Sequence, residues 1–307
     1  MMKRKDNAAV FTVICAMLQQ QGTHMTHTAS ENKTGLSFEV FPPKKDEEFE
    51  NVYPLLQQLA RLHPDFISCT YGAGGSRAGK TIEITSYIQQ QLHIDAIAHI
   101  TCVGFTKEDL HKNCTALQEA GVNHVLALRG DRPLSMSDEQ YNSREFYYAS
   151  DLVHYLKEHT SLQISGACYP EKHFEAPSLE NDLQHLKEKV DAGVSSLVSQ
   201  MFFDNTFFYR FLDKVHGMGI RIPIHAGIMP ITTAKQLGTT VSLSGSSVPK
   251  ALADLIATYG DDKEDMRKAG IDYAVRQIRD LKEHGVDGIH IYSMNKVKTT
   301  VEICSQI

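Results

Sequence analysis

The chain is expected to fold as a single-domain α/β protein, a (β/α)8 TIM barrel. Three observations predict this. Eight short runs rich in β-branched and apolar residues recur along the sequence, helix-period segments lie between them, and no glycine-rich dinucleotide fingerprint follows the first run. Strands alternating with helices imply parallel pairing through right-handed crossovers. An open, doubly wound sheet would carry G-x-G-x-x-G after its first strand. Here the first run ends in "FPPKK", which favours a closed barrel.

The strand runs are "LSFEVF" at 36–41, "FISCTY" at 66–71, "AIAHITCV" at 96–103 and "HVLALR" at 124–129. They continue with "ISGACY" at 164–169, "SLVSQMFF" at 196–203, "IPIHAGIM" at 222–229 and "GIHIYSM" at 288–294. The first three begin at residues 36, 66 and 96, an even βα rhythm. Pro54, in "NVYPLLQQLARL", marks a helix start or a kink. "TKEDLHKNCTALQEAG" reads as a helix capped by Thr106 and stopped at Gly121. In "LENDLQHLKEKVDAG", Leu179, Leu183, Leu186 and Val190 form one apolar stripe, with Ser178 as cap and Gly193 as stop. "DMRKAGIDYAVRQIRDLKEHG" is a longer helix ending at Gly285, and "GTTVSLSGSSVPK", 238–250, reads as a loop after strand seven. No further repeat, linker or low-complexity tract divides the chain, so one barrel domain is expected over 36–307.

Residues 1–35 read as an N-terminal extension. Lys3-Arg4-Lys5 and the apolar stretch 8–18 have the shape of a signal peptide, but no small-residue cleavage site follows. A short amphipathic or disordered extension is the preferred reading, with Met25 an alternative start. The chain has 307 residues, a formal net charge of -6 and 42% apolar residues. No basic face for nucleic acid and no membrane-length apolar run is visible. Its six cysteines form no CxxC pair, so they read as reduced thiols in a cytoplasmic protein.

In such barrels the chemistry sits at the carboxyl ends of the strands. Glu39 stands at the end of strand one, Thr70 and Tyr71 at strand two, and His99 and Thr101 at strand three. Arg129, Gly130 and Asp131 follow strand four; Tyr169, Glu171 and His173 follow strand five; Gln200 and Asp204 follow strand six; Tyr292 and Asn295 follow strand eight. Burial raises a carboxyl pKa, and a second carboxylate nearby raises it further. Glu39 facing Asp131 would therefore suit a general acid, although a structural, paired carboxylate is an even alternative. Arg129 would anchor a phosphate or pair with Asp131. His99 alone is more often a satisfied core histidine. "GAGG" at 72–75 lacks the Lys-Ser/Thr of a phosphate loop, and no His/Cys spacing suggests a metal. Asp182, His185 and Lys189 form a polar helical stripe, read as a solvated face or as a ligand edge. Lys189 sits mid-helix, which weakens a Schiff-base aldolase reading.

Taken together, "SFEVFPPK", "FISCTYGAGGS", "AHITCVG", "HVLALRGDRP", "YASDLV", "ACYPEKH", "DLQHLKEKVDAG", "SQMFFD", "GIMPI" and "IHIYSMN" resemble the methylenetetrahydrofolate reductase family in its bacterial, single-domain form. The resemblance runs in order from about residue 36 to 304. It implies a barrel holding FAD non-covalently, reduced by NAD(P)H, NADH being preferred by analogy. Methylenetetrahydrofolate would then accept the hydride in a ping-pong cycle, giving the methyltetrahydrofolate used in methionine synthesis. Glu39 is similar to the family's general acid and Asp131 to the aspartate near flavin and pterin. Gln200, Tyr292 and Lys296 are carried over as substrate contacts. Thr70, Tyr71, Ala73, His99, Arg129, Gly130, Asp131, Tyr148, Ala149, Tyr169, His173, Asp182, His185 and Lys189 are carried over as cofactor contacts. The family also implies a homo-oligomer, dimer or tetramer. His185, Glu188, Ala234 and Lys296 depart from residues common in relatives, which bears on affinity more than on reaction class. The chain is expected to lack the regulatory domain of eukaryotic relatives. Two rival readings are a pterin-binding methyltransferase barrel serving a cobalamin protein and a catalytically idle barrel kept for interaction.

Overall fold

A computed structural model describes residues 34–43, 45–71, 78–133 and 135–307. Eight strands close into one parallel barrel in sequence order. They are β1 (Gly35–Val40), β2 (Phe66–Cys69), β3 (Asp95–Thr101), β4 (His124–Leu128), β5 (Gln163–Cys168), β6 (Ser196–Ser199), β7 (Ile224–Ile228) and β8 (Gly288–Tyr292). Closure is made by β1 and β8, with Ser37 opposite His290 and Glu39 opposite Tyr292. All eight expected runs are strands. Their last residues leave the ladder early, so Thr70, Tyr71, Arg129, Tyr169 and Gln200 sit just past it, at the carboxyl rim.

The helices follow from caps and apolar stripes. They are α1 (Val52–Ala60), α2 (Ala78–Gln91), α3 (Lys107–Glu119), α4 (Asp138–Asn142), α5 (Ala149–His159) and α6 (Leu179–Asp191). Then come α7 (Asn205–Gly217), α8 (Ala234–Ser244), α9 (Lys250–Tyr259), α10 (Lys263–Glu283) and α11 (Val297–Cys304). Pro54 lies in the first turn of α1, where its missing N–H has no helical partner to lose. The Thr106 and Ser178 hydroxyls accept from the N–H groups of Asp109 and Asn181 at 3.1 and 3.2 Å, as the sequence predicts. Gly121, Gly193 and Gly285 take positive φ where their helices stop.

One expectation fails here. Residues 238–244 are not loop but the second half of α8; only 245–249 connect it to α9. Gly, Thr and Ser have modest helix propensity, yet Leu237 is buried against Phe203, Met229 and Ile231. A Thr233 cap (3.1 Å to the Gln236 N–H) and left-handed Gly245 (φ 70°) close the two ends. Tertiary packing overrides local preference.

Two apolar populations hold the barrel. A large cluster joins the outward faces of the strands (Phe38, Val40, Ile67, Ile100) to helix side chains such as Leu56, Ile84 and Leu186. Each fully buried side chain of this kind contributes roughly 1.5–3 kcal/mol. A separate cluster of Phe66, Ile97, Leu126 and Val198 lies on the alternate strand positions, inside the barrel. Cys69, Cys102, Cys114 and Cys168 are buried and unbridged.

Candidate functional site

The carboxyl ends of the strands surround a cavity of about 790 Å³, of a size usual for small-molecule sites. Glu39 lies in its wall. Its neighbours Phe38 and Val40 turn outward into the helix layer, so strand alternation turns Glu39 inward. The Glu39 backbone is fixed by the turn after β8: Ser293 Oγ donates to the Glu39 carbonyl at 2.5 Å. Asn295 brackets Phe41 from the same turn, accepting its N–H at 3.2 Å and donating to its carbonyl at 2.9 Å. Met294 and Asn295 both hold left-handed backbone there, φ 51° and 54°.

Desolvation pushes the Glu39 carboxyl up from its usual 4.5 to about 8. Burial alone does this; the second carboxylate expected to assist is not among the causes. His99 Nε2 lies 3.6 Å from Glu39 Oε2, too far for a hydrogen bond. Burial also pulls the His99 imidazole down to about 3. The pair is therefore a neutral acid facing a neutral ring, not a salt bridge. Nor is His99 the satisfied core histidine its strand suggests, because Nε2 is buried with no partner.

Linkage gives a stability signature. The folded-state pKa lies above the unfolded one, so the folded chain holds a proton the unfolded chain releases. Glu39 costs nothing below about 4.5. Its penalty grows by about 1.4 kcal/mol per pH unit between there and about 8, then stays constant. Thermal melts should therefore show Glu39→Gln gaining stability relative to the native chain between pH 5 and pH 8. Parallel melting curves across that window would contradict the assigned burial.

Asp131 stands exposed at the cavity rim. Arg129 does not pair with it. Its guanidinium is held by Glu175, one nitrogen 3.2 Å from Oε1 and the other closer still to Oε2. Arg129 Nε is buried without a partner. Gly130 has φ 79°, and a Cβ there would lie 2.8 Å from Thr101, so only glycine lets β4 end this close to β3.

Thr70, Tyr71, Tyr169 and Gln200 also line the cavity. Burial raises the Tyr169 phenol pKa, so its hydroxyl stays protonated. His173, another lining residue, accepts the Glu175 N–H on Nδ1 at 3.2 Å, and burial lowers its pKa. Tyr292 completes the wall and donates its hydroxyl to the Ser199 carbonyl at 2.7 Å.

The other predicted contacts among the described residues do not line this cavity. Asp182 accepts the His173 N–H at 2.9 Å, and Lys189 donates to the Ala167 carbonyl. These two residues of the α6 stripe brace the end of β5 and are no solvated face. Desolvation lowers the Lys189 pKa. His185 is exposed, bonded to Glu188 at 3.0 Å and stacked on the Tyr148 ring at 6.3 Å. Ala149 opens α5 behind Tyr148. Lys296, exposed before α11, donates to Thr232 Oγ1 at 3.1 Å. Ala73 lies outside the described residues. Sequence reasoning passed over Met136, Gln140, Met201 and Met229, which line the cavity; Met201 and Met229 closely follow strand ends, the signal that would have found them. Among the described residues there is no cluster of three or more potential metal ligands, and no helix long and apolar enough to cross a membrane.

Comparison with known proteins gives the same answer from two directions. Residues 24–307 match the family profile described as methylenetetrahydrofolate reductase. The chain is 32% identical over 286 residues to the 5,10-methylenetetrahydrofolate reductase of Escherichia coli (strain K12), covering 93% of this chain and 95% of that one. It is also 32% identical to methylenetetrahydrofolate reductase (NADH) 1 of Arabidopsis thaliana, covering 89% of this chain and 48% of that relative. Among solved structures, a Clostridium thermocellum protein described as binding two copies of 5-methyl-5,6,7,8-tetrahydrofolic acid superposes with TM-score 0.63 at 15% identity. It covers 89% of this chain and 95% of its own, and shows the shared fold.

Proposed function

Because the chain belongs to the methylenetetrahydrofolate reductase family, we propose that it reduces 5,10-methylenetetrahydrofolate to 5-methyltetrahydrofolate with electrons from NAD(P)H, in a ping-pong cycle through FAD. The observation that carries the reading is Glu39: a carboxyl kept protonated at neutral pH in the cavity wall. The residues present fit a flavin. Arg129 offers a buried Nε without a partner, Gly130 allows close approach of the β4 end, and Leu126, Leu128 and Val198 give an apolar floor. Thr70, Tyr71, His99, Arg129, Gly130, Asp131, Tyr169 and His173 would hold FAD from the cavity. Tyr148, Ala149, His185, Asp182 and Lys189 would hold or brace it from the α5 and α6 edge. When bound, FAD supplies the carrier that takes a hydride from the nicotinamide and gives it to the folate.

The protein's own part is proton management and orientation. Glu39 delivers its proton to folate N10, which opens the five-membered ring to an electrophilic iminium. Neutral His99 leaves the acid without a counter-ion that would strip its proton. Asp131 and Gln200 orient the pterin, Tyr292 walls the Glu39 side, and Lys296 meets the glutamate tail as a point charge. NADH is the preferred donor; the name of the Arabidopsis relative supports it. A cytoplasmic dimer or tetramer completes the reading, carried by the family resemblance alone.

Anaerobic spectroscopy of the purified protein tests it. Flavin absorption bands should bleach on adding NADH and return on adding methylenetetrahydrofolate. A colourless protein that takes up no FAD would sink the reading and leave the pterin methyltransferase or idle barrel.

A further inference from the structure

Below the cavity, the inside of the barrel carries polar groups that this mechanism does not use. At the amino end of the strands, His124 Nδ1 meets Asp95 Oδ2 at 2.9 Å and His124 Nε2 meets Ser165 Oγ at 2.7 Å. Ser165 Oγ in turn meets Ser196 Oγ at 2.6 Å. His225 stands beside this group, close enough for the charges of His124, Asp65 and Asp287 to act on it. The carboxylates that touch or act on these two rings, Asp65, Asp95 and Asp287, belong to exposed residues.

Further up, His290 is fully buried, with Nδ1 2.8 Å from Ser37 Oγ. The Phe66 ring contacts both His225 (5.0 Å) and His290 (5.5 Å). His225 and His99 are both near enough to act on His290, and His99 faces Glu39. Phe66, Ile97, Leu126 and Val198 fill the β2, β3, β4 and β6 positions with apolar groups. The polar groups therefore climb the β7–β8–β1 flank at His225, His290 and Ser37, and cross to His99 of β3 beside Glu39. Gly288 makes room for the lane, since a Cβ there would lie 2.2 Å from His225 Nδ1.

Three atoms along this lane are buried without a protein partner: His225 Nδ1, His290 Nε2 and His99 Nε2. Such a group is costly unless satisfied, and buried water is the usual remedy in a polar site. A structural polar ladder would have closed on itself with direct bonds, as Asp95–His124–Ser165–Ser196 does. On these rings the atoms are instead left open.

We propose that this lane conducts protons from the amino end of the barrel to Glu39, with His290 as its central relay. The inference rests on the proposed folate reduction. There Glu39 gives up its proton to N10 and is left as a carboxylate beneath the ligands that cover the mouth. A solvent proton enters past Asp65, Asp95 or Asp287. It passes through His225, His290 and His99, by the Ser37 hydroxyl on the Nδ1 side of His290 and by bridging waters elsewhere. Each imidazole accepts a proton on one nitrogen and releases one from the other. One O–H bond forms on Glu39, one solvent proton is consumed, and every ring ends neutral.

The test uses flavin-loaded native protein, His290→Leu and His225→Leu. NADH should reduce the flavin in both variants within about twofold of native. Steady-state folate reduction should fall about tenfold or more, and a small acid buffer able to enter by the mouth should restore part of it. With methyltetrahydrofolate held in the mouth, the protonated-carboxyl infrared band lost in Glu39→Gln should exchange in D2O more slowly in the variants than in native protein. Native protein should also give a curved proton inventory, a readout that does not depend on a variant folding. Native-like turnover and exchange in both variants, or a linear inventory, overturns the relay alone. A native protein that reduces no folate overturns the relay together with the reaction it serves.

Discussion

Glu39→Gln should abolish most folate reduction while leaving the nicotinamide half-reaction intact. The substitution keeps the shape and removes the proton. Loss of a general acid costs about 10²–10⁴-fold, and that loss should appear in the rate at which methylenetetrahydrofolate reoxidises reduced flavin. Reduction of the flavin by NADH needs no proton from Glu39 and should change by no more than about twofold. The native pH profile carries the same signature. An acid must be protonated to act, so the folate step should be level at neutral pH and decline as pH rises through about 8. Stopped-flow traces of the two half-reactions decide it: a Gln variant that reoxidises at the native rate removes Glu39 from the chemistry.

Gly227→Ala should produce the largest stability loss tied to the site. A Cβ at this position would lie 2.2 Å from the Ser199 carbonyl oxygen and 2.9 Å from the Tyr292 ring. Neither can yield cheaply. The Ser199 carbonyl accepts the Tyr292 hydroxyl at 2.7 Å, and the Ser199 hydroxyl accepts the Gly227 N–H at 2.9 Å. The extra methyl must push β6 from β7 or expel Tyr292 from the wall, at a cost of about 3 kcal/mol, the upper part of the usual overpacking range. Gly238→Ala is the control: nothing lies within 4 Å of its Cβ, and its place in α8 predicts a gain of about 0.5–1 kcal/mol. Denaturant midpoints moving in opposite directions would bear out the contrast; two similar shifts would not.

The barrel was legible because its strands are buried on both faces and announce themselves as apolar runs. Glu39 was legible as the charged exception in one of them. What escaped the sequence was long-range. Nothing near "RGD" says that Arg129 turns to Glu175 and not to Asp131. Nothing in the 179–191 stripe says that Asp182 and Lys189 face β5. His225 and His290 each sit in a largely apolar run, and only closure of the sheet brings them to one flank. Residues 238–244 were misread because their helix is held by Leu237 packing on distant residues.

The Arg129–Glu175 pair has a consequence for ligand affinity. Glu175 is a competitor carried on the same chain, present at an effective concentration set by the short span of residues after β5. An anionic ligand group that takes the two terminal nitrogens of Arg129 must displace it first. Binding is thus an exchange of one anion for another, and the freed carboxylate returns to water. Occupancy of that subsite therefore reports a difference between two ion pairs, so its sensitivity to ionic strength should be weaker than the charge of Arg129 alone would suggest.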